Sequence, residues 1–336
     1  MAKVRVAILG CGGMAGGHAT RYSNNPDVEI VALCDVAEAG VRAFIERNLK
    51  DYQPQPAIYT DAAQMYAEAK PNAVSIVTPH TLHFEHGMQA LEAGCHVLME
   101  KPMVTDAAQA HQLADYVAKS GKILVIGYNT PCTPAFHYLR ELVRSGELGR
   151  LETVSGWLAQ DWRRLTVGSW RQDPALSGGG QMYDSGAHIF NSLVWTVEQP
   201  ISEVLAFVDN MDTPVDINGT VNIRFANGIL ATMTIIGNCA SSGAGLYLSF
   251  ENGRVEIDGW GGSWIKVFEG NAQRENVQLE GVSQSPMDNF IDAVLGRAAP
   301  ATSPRNGVIQ SELMDAIYES ARTGQIARPK DTGVVV

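Results

Sequence analysis

The sequence has no run of eighteen apolar residues, no paired CxxC motif, no internal repeat and no low-complexity tract. Each absence removes a class of protein. Without a long apolar run no membrane-spanning helix is expected. The first strand begins within three residues of Met1, which leaves no room for a signal or transit peptide, so a cytoplasmic location is expected. The cysteines, Cys11, Cys34, Cys95, Cys132 and Cys239, are odd in number and scattered singly, and they read as reduced, mostly buried thiols. Positive charge is scarce as well. Lys and Arg number 25 against 36 Asp and Glu, and the formal charge of −11 opposes a polyanionic partner, so nucleic acid is not expected.

What is present is a chain of 336 residues, 45% apolar and 18% charged, a globular composition too long for one ordinary core. The first third alternates β-branched runs with helical patterns at the spacing of βαβ units. Strands are expected near Val4 to Leu9, Glu29 to Leu33, Ala73 to Val77, His96 to Met99 and Ile123 to Ile126. Helices are expected over Leu82 to Ala93 and Thr105 to Lys119, the latter capped by Thr105 and stopped by Gly121. From Leu151 the pattern turns mainly to period two. Asn227-Gly228 and Asn252-Gly253, each between alternating apolar runs, predict hairpins in a large antiparallel sheet from about Ser202 to Val277. Helices over Met287 to Leu295 and Asn306 to Arg322 are expected to close the second domain. The reading is an α/β chain: a doubly wound parallel sheet over residues 1–127, then an α+β domain over 128–336 for substrate binding and oligomerisation.

The run Gly10-Cys11-Gly12-Gly13-Met14-Ala15 follows directly on the first strand. Gly10 permits a tight turn, Gly12 lets a pyrophosphate approach backbone, and Ala15 lets the next helix pack close while its N-terminal N–H groups face the phosphates. The second strand ends in Cys34-Asp35, about twenty residues on, where a carboxylate would accept from the adenosine ribose hydroxyls. Together these predict a dinucleotide site.

Glu100-Lys101-Pro102 ends the strand His96 to Met99. In isolation such a dipeptide reads as a solvated pair, but ligands of open α/β sheets sit beyond the carboxyl ends of the strands, so both charges are expected in the cofactor crevice. In the second domain, Gly178-Gly179-Gly180 precedes Asp184 and His188. With a helix starting after the glycines these two lie at i and i+4 on one face, a carboxylate beside a histidine suited to take a proton from an alcohol. His80, His83 and His86 suggest a metal, but helical positions i, i+3 and i+6 diverge and no thiolate or carboxylate accompanies them, so no metal is expected. Trp157, Trp162, Trp170 and Trp195 suit a core, while Trp162 and Trp170, flanking Arg163, Arg164 and Arg171 in an irregular segment, equally suit a sugar-stacking or lid role.

Taken together, Gly10-Cys11-Gly12-Gly13, Thr78-Pro79-His80-Thr81-Leu82-His83, Ala93-Gly94-Cys95-His96-Val97 leading to Glu100-Lys101-Pro102, and Trp170-Arg171 before Asp184-Ser185-Gly186-Ala187-His188 resemble the glucose-fructose oxidoreductase, inositol dehydrogenase and rhizopine-catabolism family over essentially the whole chain. The resemblance implies an NAD-dependent dehydrogenase that moves a hydride between nicotinamide and a secondary alcohol or ketone of a sugar, sugar derivative or cyclitol; Asp35, followed by Val36-Ala37 with no cation, predicts a preference for NAD over NADP, whose 2′-phosphate would meet that charge. It puts Thr78, Pro79, His80, His83, Glu100 and Lys101 with Gly10 to Ala15 and Asp35 at the cofactor. Lys101, Asp184 and His188 become the catalytic set, and Lys101, Asn129, Trp162, Trp170, Arg171, Asp184 and His188 meet the substrate. His188 or Lys101 would exchange the hydroxyl proton. Three positions depart from the family pattern: His80 where asparagine is common, Tyr128-Asn129-Thr130-Pro131 where an Asn-Arg run is common, and Asn191 for an aspartate three residues after the histidine. A homodimer or homotetramer through the C-terminal sheet is expected, its open face supplied with Ile and Met by the alternation in Val221 to Phe225 and Ile229 to Ile235. Two other readings use the same parts: a glycoside hydrolase working by transient oxidation and elimination, and a non-catalytic NAD-binding regulator. The retention of Lys101, Asp184 and His188 speaks against the regulator.

Overall fold

The computed structural model describes residues 3–281 and 284–329. In chain order these form β1 (Val4–Leu9), α1 (Ala15–Ser23), β2 (Val28–Cys34), α2 (Glu38–Asn48), β3 (Ala57–Tyr59), α3 (Ala62–Ala69), β4 (Ala73–Ile76), α4 (His83–Glu92), β5 (His96–Met99), α5 (Ala107–Ser120) and β6 (Leu124–Ile126). Then come α6 (Pro134–Ser145), β7 (Leu151–Ala159), the short α7 (Trp162–Leu165) and α8 (Pro174–Ser177), and α9 (Gly186–Val197). Seven strands follow: β8 (Ile201–Asp209), β9 (Asn218–Phe225), β10 (Leu230–Ile236), β11 (Gly243–Phe250), β12 (Gly253–Ile257), β13 (Ile265–Glu269) and β14 (Ala272–Gln273). Two helices, α10 (Pro286–Val294) and α11 (Pro304–Thr323), end the described chain.

Contacts divide the chain into two compact units, one of residues 1–104, 108–127 and 285–304, the other of 105–107, 128–284 and 305–336. The first holds a parallel sheet in the order β3-β2-β1-β4-β5-β6. This is the doubly wound order whose reversal lies between β1 and β4, so loops after those strands border a ligand crevice. Five of its strands lie where alternation put them. β3 escaped because three residues are too few for a period to register. Its core gathers Val6, Ile8, Ile30, Leu33, Phe44 and Leu98, and to these α10 adds Phe290 and Ile291, both 1% exposed or less. The helix expected to close the second domain therefore packs in the first. Ser285 caps it, accepting from the N–H of Asp288 while Asp288 accepts from the N–H of Ser285.

The second unit holds a sheet in the order β14-β13-β12-β11-β7-β10-β9-β8, antiparallel except where β7 pairs parallel with β10. Ala226-Asn227-Gly228 turns β9 into β10 as expected, with Gly228 at φ +91°. The other hairpin turns at Glu251-Asn252, and Gly253 is already a strand residue opposite Phe250, where a Cβ would fall 2.1 Å from the Phe268 carbonyl oxygen. One sheet face covers a core with α6, α9 and α11. α9 is buried at all twelve positions, as its apolar circumference requires. The expected Ile and Met side chains of β9 and β10 face this core: Val221, Ile223, Met233 and Ile235 are 3% exposed or less. The face left open carries Thr220, Asn222 and Thr232 with four large apolar side chains, Trp157, Phe207, Leu230 and Tyr247. Among the described residues no helix is long and apolar enough to cross a membrane.

Candidate active site

In the first unit, Gly10 leaves β1 at φ +93°, and a Cβ there would fall 2.6 Å from the Val77 carbonyl oxygen, so no other residue fits the turn without displacing backbone. A Cβ on Gly12 or Gly13 would meet nothing within 4 Å. Their openness has no packing cause, which is what a cradle awaiting a ligand requires. Ala15, fully buried, starts α1, and Met14 at its N-cap supplies no side-chain hydrogen bond; the Gly16 and Gly17 N–H groups turn back on the Gly13 and Met14 carbonyls at 3.4 and 3.1 Å, and the positive end of the helix dipole faces the glycine turn. Asp35, half-buried after β2, accepts from the Cys11 N–H through Oδ2 at 2.7 Å. Its other oxygen has no hydrogen-bond partner among the described residues, which suits a ribose diol. Burial, with Asp35 next, pushes the Cys11 thiol up to about 12, so the loop carries no thiolate beside the phosphates. The residues fit a dinucleotide.

Thr78 and Pro79 follow β4 and are half-buried, and the Thr78 hydroxyl pairs with His86 Nδ1 at 3.0 Å. His80 is 3% exposed and His83 fully buried. His83 is therefore placed beneath the loop, its ring against the backbone oxygens of Pro102 (2.7 Å) and Thr78 (2.9 Å). Burial pushes His83 and His86 below the usual histidine range. His80 lies in a 3-10 turn ahead of the helix that holds His83 and His86. Among the described residues no three His, Cys, Asp or Glu side chains gather as a metal site. Glu100 and Lys101 follow β5, half-buried; Glu100 Oε1 accepts from His18 Nε2 at 2.8 Å and Oε2 from the Lys101 N–H at 3.3 Å.

In the second unit the glycine run is a close-packed turn. A Cβ on Gly180 would fall 2.0 Å from the Asp216 backbone oxygen, and one on Gly179 would fall 2.3 Å from the Tyr318 hydroxyl. Asp216, 3% exposed, accepts from the N–H groups of Gly180 (2.6 Å) and Met182 (2.8 Å) and from Tyr318 (2.5 Å), and burial raises its carboxyl above the usual range. The Asp216 carbonyl also takes the Gln181 N–H. These bonds pin residues 180–182 to Asp216 as a turn, and α9 starts at Gly186. Asp184 precedes the helix, and the expected shared helical face with His188 is replaced by a turn in which Ser185 accepts from the His188 N–H.

Asp184, 6% exposed, accepts on Oδ2 from Trp162 Nε1 at 2.7 Å and Arg171 Nε at 3.0 Å. Trp162 is 3% exposed against Val215 and Ile217, so its indole holds Asp184 instead of offering an open ring for stacking. Trp170 is half-buried with the Arg171 guanidinium 4.7 Å from its ring centre, and Trp195 fills the core. The His188 ring lies 4.3 Å from the Trp260 ring centre and edge-on to Tyr128 at 5.8 Å. Asn129 is exposed beside Tyr128. Asn191 is fully buried and donates to Gln310, turned from any open surface. Trp260, Asp216 and Tyr318 left no sequence signal near the glycines, being 36 to 138 positions beyond Gly180.

A family model described as an oxidoreductase family with an NAD-binding Rossmann fold matches residues 4–128, and one described as the GFO/IDH/MocA C-terminal domain matches residues 136–264. D-glucoside 3-dehydrogenase of Escherichia coli strain K12 is 27% identical over 351 residues, covering 96% of this chain and 96% of that protein. Levoglucosan dehydrogenase of Pseudarthrobacter phenanthrenivorans is 24% identical over 340 residues, covering 89% and 82%. Among solved structures, GenD2 from gentamicin A biosynthesis, in complex with NAD, superposes with a TM-score of 0.83 at 24% identity over 98% of this chain and 97% of that one, a likeness of fold.

Proposed function

Because the chain belongs to the GFO/IDH/MocA family of NAD-binding oxidoreductases, we propose that it is a cytoplasmic NAD-dependent dehydrogenase acting on a secondary alcohol of a pyranoside, with glucosides first among its substrates. The glucoside assignment rests on D-glucoside 3-dehydrogenase as a full-length relative, whose name also puts ring carbon 3 first among sites of oxidation. The observation that carries the chemistry is the state of Asp184. Two donors on one oxygen fix that carboxylate ahead of the helix whose first turn bears His188.

Gly12, Gly13, the first turn of α1 and Asp35 would hold NAD, with Thr78, Pro79, Glu100 and Lys101 toward its nicotinamide. When bound, that group accepts a hydride, or as NADH returns one. His188, with Asp184 to hold its charge, takes the hydroxyl proton, and Lys101 stabilises the negative charge developing on the same oxygen. Asp35 sets the preference for NAD, since a 2′-phosphate would face its carboxylate. The open sheet face with Trp157, Phe207, Leu230 and Tyr247 pairs two copies of the chain. Light scattering at micromolar concentration should give a dimer or tetramer, and Trp157→Glu should shift it toward monomer; a wild-type monomer would remove this element. The five cysteines are thiols, four of them buried, in keeping with a reducing compartment.

The test is a screen with NAD against alkyl and aryl glucosides, free aldoses, sugar acids and inositols, following NADH absorbance and phenol release together. NADH accumulation with intact glucoside is the expected result. Phenol release without NADH would replace this reading by the hydrolase, and tight NAD binding with no turnover would replace it by the regulator.

A further inference from the structure

Two histidines of the first unit flank Lys101 from below. Glu100, before it, has Oε1 on His18 Nε2 at 2.8 Å and Oε2 on the Lys101 N–H. Pro102, after it, has its carbonyl oxygen on His83 Nδ1 at 2.7 Å. His18 is 2% exposed and His83 fully buried, so neither presents itself to a ligand, and a packing role alone would call for an apolar side chain at both positions.

The polar partners of His18 run in one direction. The Glu100 carboxylate can only accept, so Nε2 carries the His18 proton toward it at 2.8 Å. Nδ1 of the neutral ring then accepts from Ser75 Oγ at 3.2 Å, and Ser75 in turn accepts from the Tyr22 hydroxyl at 2.6 Å. The tautomer is thus set by Glu100 and continued by the side chains behind it. His83 has two acceptors, both carbonyl oxygens. As a neutral ring it donates one bond, and the shorter distance assigns that bond to Pro102; a second bond, to Thr78, needs a second proton, which burial opposes.

We propose that His18 and His83 are positioning residues that clamp the backbone on either side of Lys101 and so set where its ammonium stands. His18 rises from α1, whose N-terminus borders the glycine turn, and His83 opens α4, which follows the Thr78 loop. The clamp ties the phosphate helix and the Thr78 loop to the one loop that carries the lysine. The kinetic part of this inference rests on the catalytic reading of Lys101; the backbone part does not.

Amides separate the two nitrogens of each ring, because an asparagine NH2 stands where Nδ1 stood and a glutamine NH2 where Nε2 stood. His83→Asn should keep the bond to Pro102 and His83→Gln lose it; His18→Gln should keep the bond to Glu100 and His18→Asn lose it. Two readouts apply. Hydrogen exchange of the apo protein, followed by mass spectrometry on peptides containing Lys101 and Met103, should accelerate in His83→Gln and His18→Asn and stay near wild type in the other two. Turnover of the preferred glucoside should fall about tenfold to a hundredfold in the same two variants, the cost of a misplacement near 1 Å, with NAD affinity by fluorescence within about twofold. In a Lys101→Met background the histidine variants should add nothing further. Equal exchange in the Asn and Gln variants at either position would overturn the clamp whatever the kinetics. If Lys101→Met retains turnover while exchange follows the expected pattern, the catalytic reading of Lys101 fails and the clamp stands. Melting temperatures identify a variant that has simply lost its fold, and the paired amide at the same position supplies the comparison in that case.

Discussion

The two units build their sites from different materials. In the first, the parts that suit a dinucleotide are mainly backbone: a turn at positive φ, two glycines with open space above them, the N-terminus of α1 with no side-chain cap, and one carboxylate twenty-odd residues later. In the second, glycines are used the other way, filled to the point that a Cβ at Gly180 would collide with Asp216, and the candidate site is made of side chains, in which Trp162 and Arg171 meet Asp184, and Tyr128 and Trp260 meet His188. Backbone recognition needs few residue identities in a short stretch. Side-chain recognition draws on remote positions and so varies freely with substrate.

The largest effect that sharpens this contrast is expected at His188. His188→Ala should lower turnover by roughly 10² to 10⁴, the contribution of a general base, while NAD titration is unchanged because the residue belongs to the other unit. Asp184→Asn should cost less, and the double variant should fall well short of additivity. A folded His188→Ala protein with near-normal turnover would make the pair structural.

Next comes a matched pair of glycine substitutions. Gly180→Ala should destabilise by about 1–3 kcal/mol, as overpacking does, lowering the melting temperature. Gly12→Ala, with no protein atom in reach, should leave melting alone and weaken NAD binding. Equal melting losses in the two would erase the distinction between a filled turn and an open cradle.

A smaller effect concerns cofactor choice. Charge-assisted hydrogen bonds contribute about 1.5–3 kcal/mol, so wild type should prefer NAD to NADP by roughly tenfold to a hundredfold in kcat/KM, and Asp35→Ser should narrow the gap. Equal efficiencies in wild type would remove Asp35 from that role.

The smallest is a pH effect on stability. His83 and His86 are held below the usual histidine range, chiefly by burial, so the unfolded chain binds protons that the folded first unit refuses. Their contribution is present above the unfolded value of about 6.5 and is lost as pH falls below it toward the folded values. Urea midpoints at pH 8 and pH 5.5 should differ less in His83→Gln than in wild type.

The first unit was legible because its signals are local. β1 and β5 occupy the expected residues, and the turn, its helix and Asp35 lie within 35 positions. What escaped there depends on tertiary pairing: β3, too short to show a period, and His18, an ordinary helix residue until Glu100 is brought to it. In the second unit the Asp184 and His188 positions were visible as a motif, but the helix start was misjudged. Local spacing favoured a helix from the glycines, whereas residues 181–185 form a turn tied to Asp216, over thirty residues away, before α9 begins at Gly186. Strand alternation in β9 and β10 was read correctly as a period and assigned the wrong side, since a period of two does not say which face meets the helices.

The elevated Cys11 thiol has a practical side. A thiol with a value near 12 is about one part in 10⁵ thiolate at neutral pH, so alkylating reagents and peroxide find almost no nucleophile at the glycine turn. Cys34 and Cys95, pushed up to about 11 by burial, are similarly quiet. Cys239 is the cysteine that is not fully buried. Limited treatment with a maleimide probe should therefore attach a reporter to the second unit alone, leaving the nucleotide turn unmodified and its affinity open to measurement on labelled protein.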